Sequence, residues 1–183
     1  HVRIHSNTSA IIAFPPQDLS AFSRLYPEIK IDLQERVSSE IIAAVRDGLT
    51  DIGIFAGHVP APDLQQLSYR HDRLVLMTPI DHPLAERESI AFNEALAFDF
   101  IGLQQDASLQ SLLYEQATLA GKTLRMRIQV RSFDAICRMI HHGMGVGVLP
   151  EQTIYRDLGD LQLKSIPLSD PWAQRELVIG MRR

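Results

Sequence analysis

The chain has 183 residues, 45% of them hydrophobic and 22% charged, with a formal net charge of −4. That length can bury about 70% of its unfolded surface and needs neither disulfide nor metal to hold it, and the single cysteine, Cys137, permits no internal disulfide. No apolar run reaches the ~20 residues of a membrane span, and the acidic balance argues against a surface that neutralises nucleic-acid phosphates.

The N-terminus carries no signal peptide and begins almost inside a strand, as an excised piece would. Val2 to Ser6 alternates apolar and polar and reads as a strand. Asn7, Thr8 and Ser9 follow as helix-capping residues. Ile11, Ile12, Leu19, Phe22 and Leu25 keep a helical spacing that Pro15-Pro16 must interrupt, and Tyr26-Pro27 ends it. Ile29 to Leu33 reads as a second strand. Ser38 and Ser39 cap a helix carrying Ile41, Ile42, Val45 and Leu49, with Gly48 as its stop. Asp51 to Phe55 is a third strand, so two crossovers and a parallel sheet are expected.

Leu64 to Arg70 and Leu74 to Thr78 read as two further strands. The pattern then restarts: a short helix over Phe92 to Ala97, a strand over Phe98 to Leu103, and a helix capped by Ser108 and ended by Gly121. A strand over Leu124 to Val130 follows, then a helix from Ser132 with Phe133, Ile136, Cys137 and Ile140 on one side. Leu161 to Leu163 and Glu176 to Gly180 read as the last strands. Two α/β lobes are expected, with a cleft between them as the default ligand site.

The stretch RMIHHGMGVGVLP holds three glycines, but its helix comes first and its strand after. A phosphate loop needs the opposite order, with the helix N-terminus facing the anion. Gly143 therefore reads as the helix C′ residue, Gly145 as the turn, and Gly147 as a thin point where another group approaches.

Anion-friendly turns lie elsewhere, at Asn7-Thr8-Ser9, Ser38-Ser39, Ala107-Ser108 and Ser132. Catalytic patterns are thin. There is no G-x-S-x-G, no H-E-x-x-H and no paired-cysteine metal spacing. His141 and His142 are adjacent on a helix and point about 100° apart. Cys137 lies on the apolar stripe as a core thiol. Arg125, Arg127, Gln129 and Arg131 read as a solvated face, and Glu86-Arg87-Glu88 as a solvated charge run. No cofactor, no metal and no enzyme activity are expected.

These residues resemble the effector-binding domain of LysR-type bacterial transcriptional regulators. The likeness is carried in order by VRIHSNTSAII, FSRLYPEIKIDL, AAVRDGLTDIGI and MIHHGMGVGVLP, with DHPLA from Asp81 to Ala85. His5 stands where the family often has glycine, and Pro15-Pro16 where a single proline is common. The resemblance implies an α/β fold of two Rossmann-like lobes joined by two crossover strands, like type 2 periplasmic binding proteins. Lobe I would hold residues 1–75 and 177–183, and lobe II residues 76–176. It implies effector contacts at Thr8, Ser9, Ser38, Ser108 and Leu109, with Phe55 and Val146 on the cleft walls. No arginine stands within the first two turns, Arg36 and Arg131 being nearby, so the effector's charge stays open; an organic acid is the expectation.

It also implies a cytoplasmic regulator that contacts DNA only through an N-terminal winged helix-turn-helix outside this chain. Homodimers would form through this domain and tetramers in the full-length protein. The alternative is a solute-binding protein for a small organic anion on the same fold.

Overall fold

A computed structural model describes residues 1–13, 15–105, 107–151 and 161–183. The side chains of Ser9 and Ser108 lie outside the described set. The chain divides into two compact units: His1–His71 with Arg175–Arg183, and Asp72–Gln174.

The first unit is built on a sheet in the order β2-β1-β3-β9-β4, where β4 is Leu64–Pro79. Strand β1 (Val2–Ser6) pairs in parallel with β2 (Ile31–Glu35) and β3 (Ile52–Ala56), while β9 (Gln174–Arg182) runs antiparallel to β3. Between the parallel strands run helices α1 (Thr8–Ala13), α2 (Pro15–Leu25) and α3 (Ser38–Arg46). The described helical residues Thr8–Ala13 and Pro15–Leu25 lie on either side of Phe14, so the interruption expected at Pro15-Pro16 falls against a position outside the described residues.

Alternation along the strands sends residues to opposite faces. Ile4, Ile54 and Leu177 pack with Ala10 of α1 in one cluster. Phe55 and Val178 pack with Ile41, Ile42 and Val45 of α3 in another. Each fully buried side chain of this kind contributes roughly 1.5–3 kcal/mol. Close approach on the α3 side requires glycine: a Cβ on Gly53 would sit 2.6 Å from Ile41 Cγ2, and one on its cross-strand partner Gly180 would sit 2.5 Å from Phe55 Cε1.

The second unit holds α4 (Phe92–Ala95), β5 (Phe100–Leu103), α5 (Ser108–Leu119), β6 (Met126–Val130), α6 (Phe133–His141), β7 (Gly147–Pro150) and β8 (Leu163–Pro167). Strands β5 and β6 form a parallel pair, and β4 pairs antiparallel with both β7 and β8. Helix α6 buries Phe133, Ile136, Cys137 and Ile140, a spacing that places all four on one helical stripe. Phe92 meets Phe100 and Trp172 edge-on, at ring separations of 6.0 and 5.2 Å.

Three strand readings need correction. Leu64–Arg70 and Leu74–Thr78 are one 16-residue strand, β4 (Leu64–Pro79). The intervening His71-Asp72-Arg73 breaks the apolar pattern but contains no glycine or proline to end pairing. The strand expected over Leu161 to Leu163 instead occupies Leu163–Pro167, where only Ile166 is buried and hydropathy gives little signal. Phe98 and Asp99 precede β5 rather than belong to it.

The glycine stretch is structural. Gly143 follows the C-cap residue His142 with φ of 76°, as the C′ reading requires. A Cβ on Gly145, whose φ is 156°, would lie 2.6 Å from the Asp99 carbonyl oxygen. One on Gly147 would lie 3.0 Å from the Ile101 carbonyl oxygen. Both glycines let the approach to β7 press against the backbone at β5.

Candidate functional site

In the first unit, the carboxyl ends of β1, β2 and β3 stand side by side. Ser6 aligns with Glu35 on one flank and Ile54 on the other. Backbone bonds fix the turns that follow. Asn7 N–H donates to the Ile54 carbonyl at 3.0 Å, and Arg36 N–H donates to the Ser6 carbonyl at 3.0 Å. Open α/β sheets bind ligands beyond such strand ends.

Four of the sequence-predicted residues fall in this unit. Thr8 opens α1, half-buried, and its hydroxyl donates to Glu35 Oε1 at 2.8 Å. Ser9 is the second residue of α1. The cap of α1 is Asn7, whose Oδ1 accepts the Ala10 N–H at 2.9 Å. Ser38 is buried and opens α3, but Val37 holds the cap position. The Ser38 hydroxyl oxygen instead accepts the Ala56 N–H at 3.4 Å, tying the start of α3 to the end of β3. Phe55 is fully buried in the cluster beneath α3, so its ring packs the core.

In the second unit, Ser108 is the first residue of α5 and Leu109, buried, the second. The cap position is Ala107, with no side-chain bond, rather than Ser108. Val146 is fully buried and lies at the other end of β5 from these two. Its N–H donates to the Asp99 carbonyl at 2.9 Å, and its own carbonyl accepts the Ile101 N–H at 2.8 Å. Thus Thr8 and Ser38 stand at neighbouring strand ends, while Val146 is separated from Ser108 and Leu109 by the length of β5.

Val146 lines a different feature, a pocket of about 180 Å3 with His82, Phe98, Asp99, Arg127 and the Gly143–Gly145 turn. His82 Nδ1 accepts the Leu84 N–H at 3.1 Å, and its ring lies 4.7 Å from Phe98, edge-on. Burial lowers the His82 pKa, favouring a neutral imidazole. The basic residues here are engaged. Arg125 pairs with Asp99 at 3.0 Å and donates to the Ala97 carbonyl at 2.8 Å, and Arg127 donates to the Met144 carbonyl at 3.2 Å. The expected solvated face of β6 is in part a brace to the next turns.

Helix α2 and the sheet of the first unit also enclose an apolar groove of about 430 Å3, lined by Val2, Ile4, Phe22, Ile31, Ile52, Ile54 and Ile179. At its rim the Tyr69 hydroxyl donates to Asp18, which also meets Arg70 at 3.2 Å. Burial, then the Asp18 carboxylate, raise the Tyr69 pKa well above its ordinary value. Such a lining supplies packing surface and no reacting group.

Two polar residues at the strand ends were not singled out as site residues from sequence. Glu35 closes β2 and holds Thr8. Asn7 is 4% exposed, and with Oδ1 spent on the cap its Nδ2 has no hydrogen-bond partner among the described residues. Arg36 is turned away, donating to the Glu35 carbonyl and to Gln34 Oε1, both at 2.7 Å. A charged residue at the last strand position before a helix is the signal that could have flagged Glu35.

The family model for the LysR substrate binding domain matches residues 1–183. A probable RuBisCO transcriptional regulator of Synechocystis is 26% identical over 171 residues, covering 90% of this chain and 49% of its own length. The uncharacterized HTH-type transcriptional regulator YwbI of Bacillus subtilis is 28% identical, covering 100% of this chain and 60% of its own. The chain thus spans about half the length of the curated relatives it matches.

Among solved structures, the Synechocystis CcmR regulatory domain in complex with 2-PG superposes with a TM-score of 0.87 at 22% identity, covering 99% of this chain and 86% of that one. The BenM effector binding domain with benzoate gives 0.83 at 19% identity, covering 100% and 83%. These likenesses establish the α/β, type 2 periplasmic-binding-protein-like fold anticipated from sequence. The full-length match to the family model, on that fold, makes this chain a member of the LysR substrate binding domain family.

Proposed function

We propose that this chain is the effector-sensing part of a cytoplasmic DNA-binding transcriptional regulator, responding to a small organic acid. The observation that carries the reading is the family match over all 183 residues, whose curated relatives are named as transcriptional regulators rather than enzymes. Solved relatives of this fold hold 2-PG, shikimate and benzoate. In the first unit the effector is bound at the turns after β1 and β2, by Thr8, Ser9 and Ser38. In the second unit, taken by itself, the proposed contacts are Ser108 and Leu109 at the start of α5. Phe55 in the first unit and Val146 in the second are the proposed wall residues. DNA is contacted through a helix-turn-helix in the part of the relatives that this chain does not span. Homodimers form through the domain, and tetramers in the longer protein.

Effector binding shifts the equilibrium among conformations in proportion to its differential affinity for them. A thermal-shift screen of small organic acids tests the reading. An effector at one hundred times its Kd stabilises the protein by about 2.7 kcal/mol, and Thr8→Ala reduces that gain while leaving the unliganded protein folded. A screen in which no organic acid stabilises the protein contradicts the proposal.

A further inference from the structure

The small pocket at the amino end of β5 carries donors that the described residues leave unused. It lies away from Ser108 and Leu109, which follow the carboxyl end of that strand, and its walls include His82, Phe98, Asp99, Arg127, Met144 and Gly145. Arg73, Arg87, Arg125 and Arg138 of the second unit each pair with a carboxylate. Arg127 pairs with none among the described residues; its Nη1 donates to the Met144 carbonyl at 3.2 Å, on the pocket wall. A carbonyl anchors a guanidinium without cancelling its charge, and Nη2 and Nε keep their protons to donate. The Asp99 carboxylate in the same pocket is already neutralised by Arg125 at 3.0 Å. His82 brings a neutral donor. Its Nδ1 accepts the Leu84 N–H at 3.1 Å, which puts the imidazole proton on Nε2. Gly145 brings a backbone N–H with no acceptor among the described residues. Phe98 and Met144 add apolar surface. The volume, about 180 Å3, holds roughly six water-sized atoms.

We propose that this pocket is a second ligand site, separate from the effector contacts at the strand-end turns, and that it takes a short-chain monocarboxylate. The carboxylate lies against the Arg127 guanidinium, a planar fork that matches its two oxygens. The hydrocarbon end lies against Phe98. A compact dianion is disfavoured, because the Asp99 carboxylate lines the same pocket and like charges repel.

Acetate, propionate, acetamide and sulfate, titrated into isotope-labelled protein at constant ionic strength, test it by NMR at the Gly145 amide and the His82 ring. Acetate and propionate should shift both signals saturably, and acetamide, which has the shape without the charge, should not. Sulfate should bind more weakly than acetate. Arg127→Gln removes the charge from an exposed side chain and should weaken acetate about tenfold, the size of one charge-assisted hydrogen bond. Arg127→Lys, which keeps the charge and loses the fork, should fall between. Acetamide that shifts the signals as acetate does, sulfate that binds as tightly as acetate, or acetate affinity unchanged in Arg127→Gln overturns the proposal. Acetate shifts confined to Thr8, Ser9 and Ser38 also remove this site, while leaving the sensing function standing.

Discussion

The starts of α6 and α3 both carry serine, and the two hydroxyls do different work. Ser132 occupies the cap position of α6, and its Oγ accepts the Ala135 N–H at 3.1 Å. At α3 the cap position falls to Val37, and Ser38, one residue further in, is turned to the neighbouring strand, where it accepts the Ala56 N–H. A shift of one position converts a hydroxyl that serves its own helix into one that couples two elements. The first kind is local and replaceable. The second is buried, so its loss leaves a strand N–H without an acceptor.

The strongest test of how these turns are held lies at the far end of α6. Gly145→Val should cost more than about 3 kcal/mol, because it combines a backbone conformation disfavoured for L side chains with a clash against backbone that cannot move aside. The clash is with the Asp99 carbonyl, 2.6 Å from the added Cβ. Chemical denaturation of the variant measures it, and an unchanged midpoint would remove the turn from the account. Next, Ser38→Ala should cost about 1–3 kcal/mol through the orphaned Ala56 N–H, and hydrogen exchange at Ala56 should quicken. Ser132→Ala should cost less, about 1 kcal/mol, with no change in the first unit. Equal costs for the two serines would dissolve the contrast drawn between them.

The smallest effect is expected at the Arg3–Asp51 pair, 3.1 Å apart and exposed on both sides. Hydrogen bonds from Arg3, first by side chain and then by backbone, hold the Asp51 carboxyl below its ordinary pKa. A carboxyl depressed in the folded state stabilises above its unfolded pKa and loses that contribution as pH falls through the folded value. Asp51→Asn should therefore flatten a shallow decline in melting temperature on the acid side of that range, and salt should mask the difference.

Much of the architecture was readable because it depends on local spacing. The alternation from Val2 to Ser6, the stripe Phe133-Ile136-Cys137-Ile140, the capping Ser132 and the glycines that end α3, α5 and α6 are local events. The assignment of hydroxyls was harder, because Asn, Ser and Thr differ little as caps and tertiary contacts decide among them. Thus Asn7 caps α1 and Thr8 is left to Glu35, a contact that depends on how β1 pairs with β2. The surroundings of Val146 depend on tertiary contacts in the same way. Its neighbours are Asp99 and Ile101, more than forty residues earlier, and only strand pairing brings them together.

Cys137 gives the second unit a built-in reporter. The lone thiol is fully buried, and burial pushes its pKa up to about 11. At neutral pH it is thus both shielded and almost wholly protonated, and alkylating reagents act on exposed thiolate. Its labelling rate in a native sample therefore counts the moments when α6 lifts from its bed, a clock for breathing that needs no engineered probe.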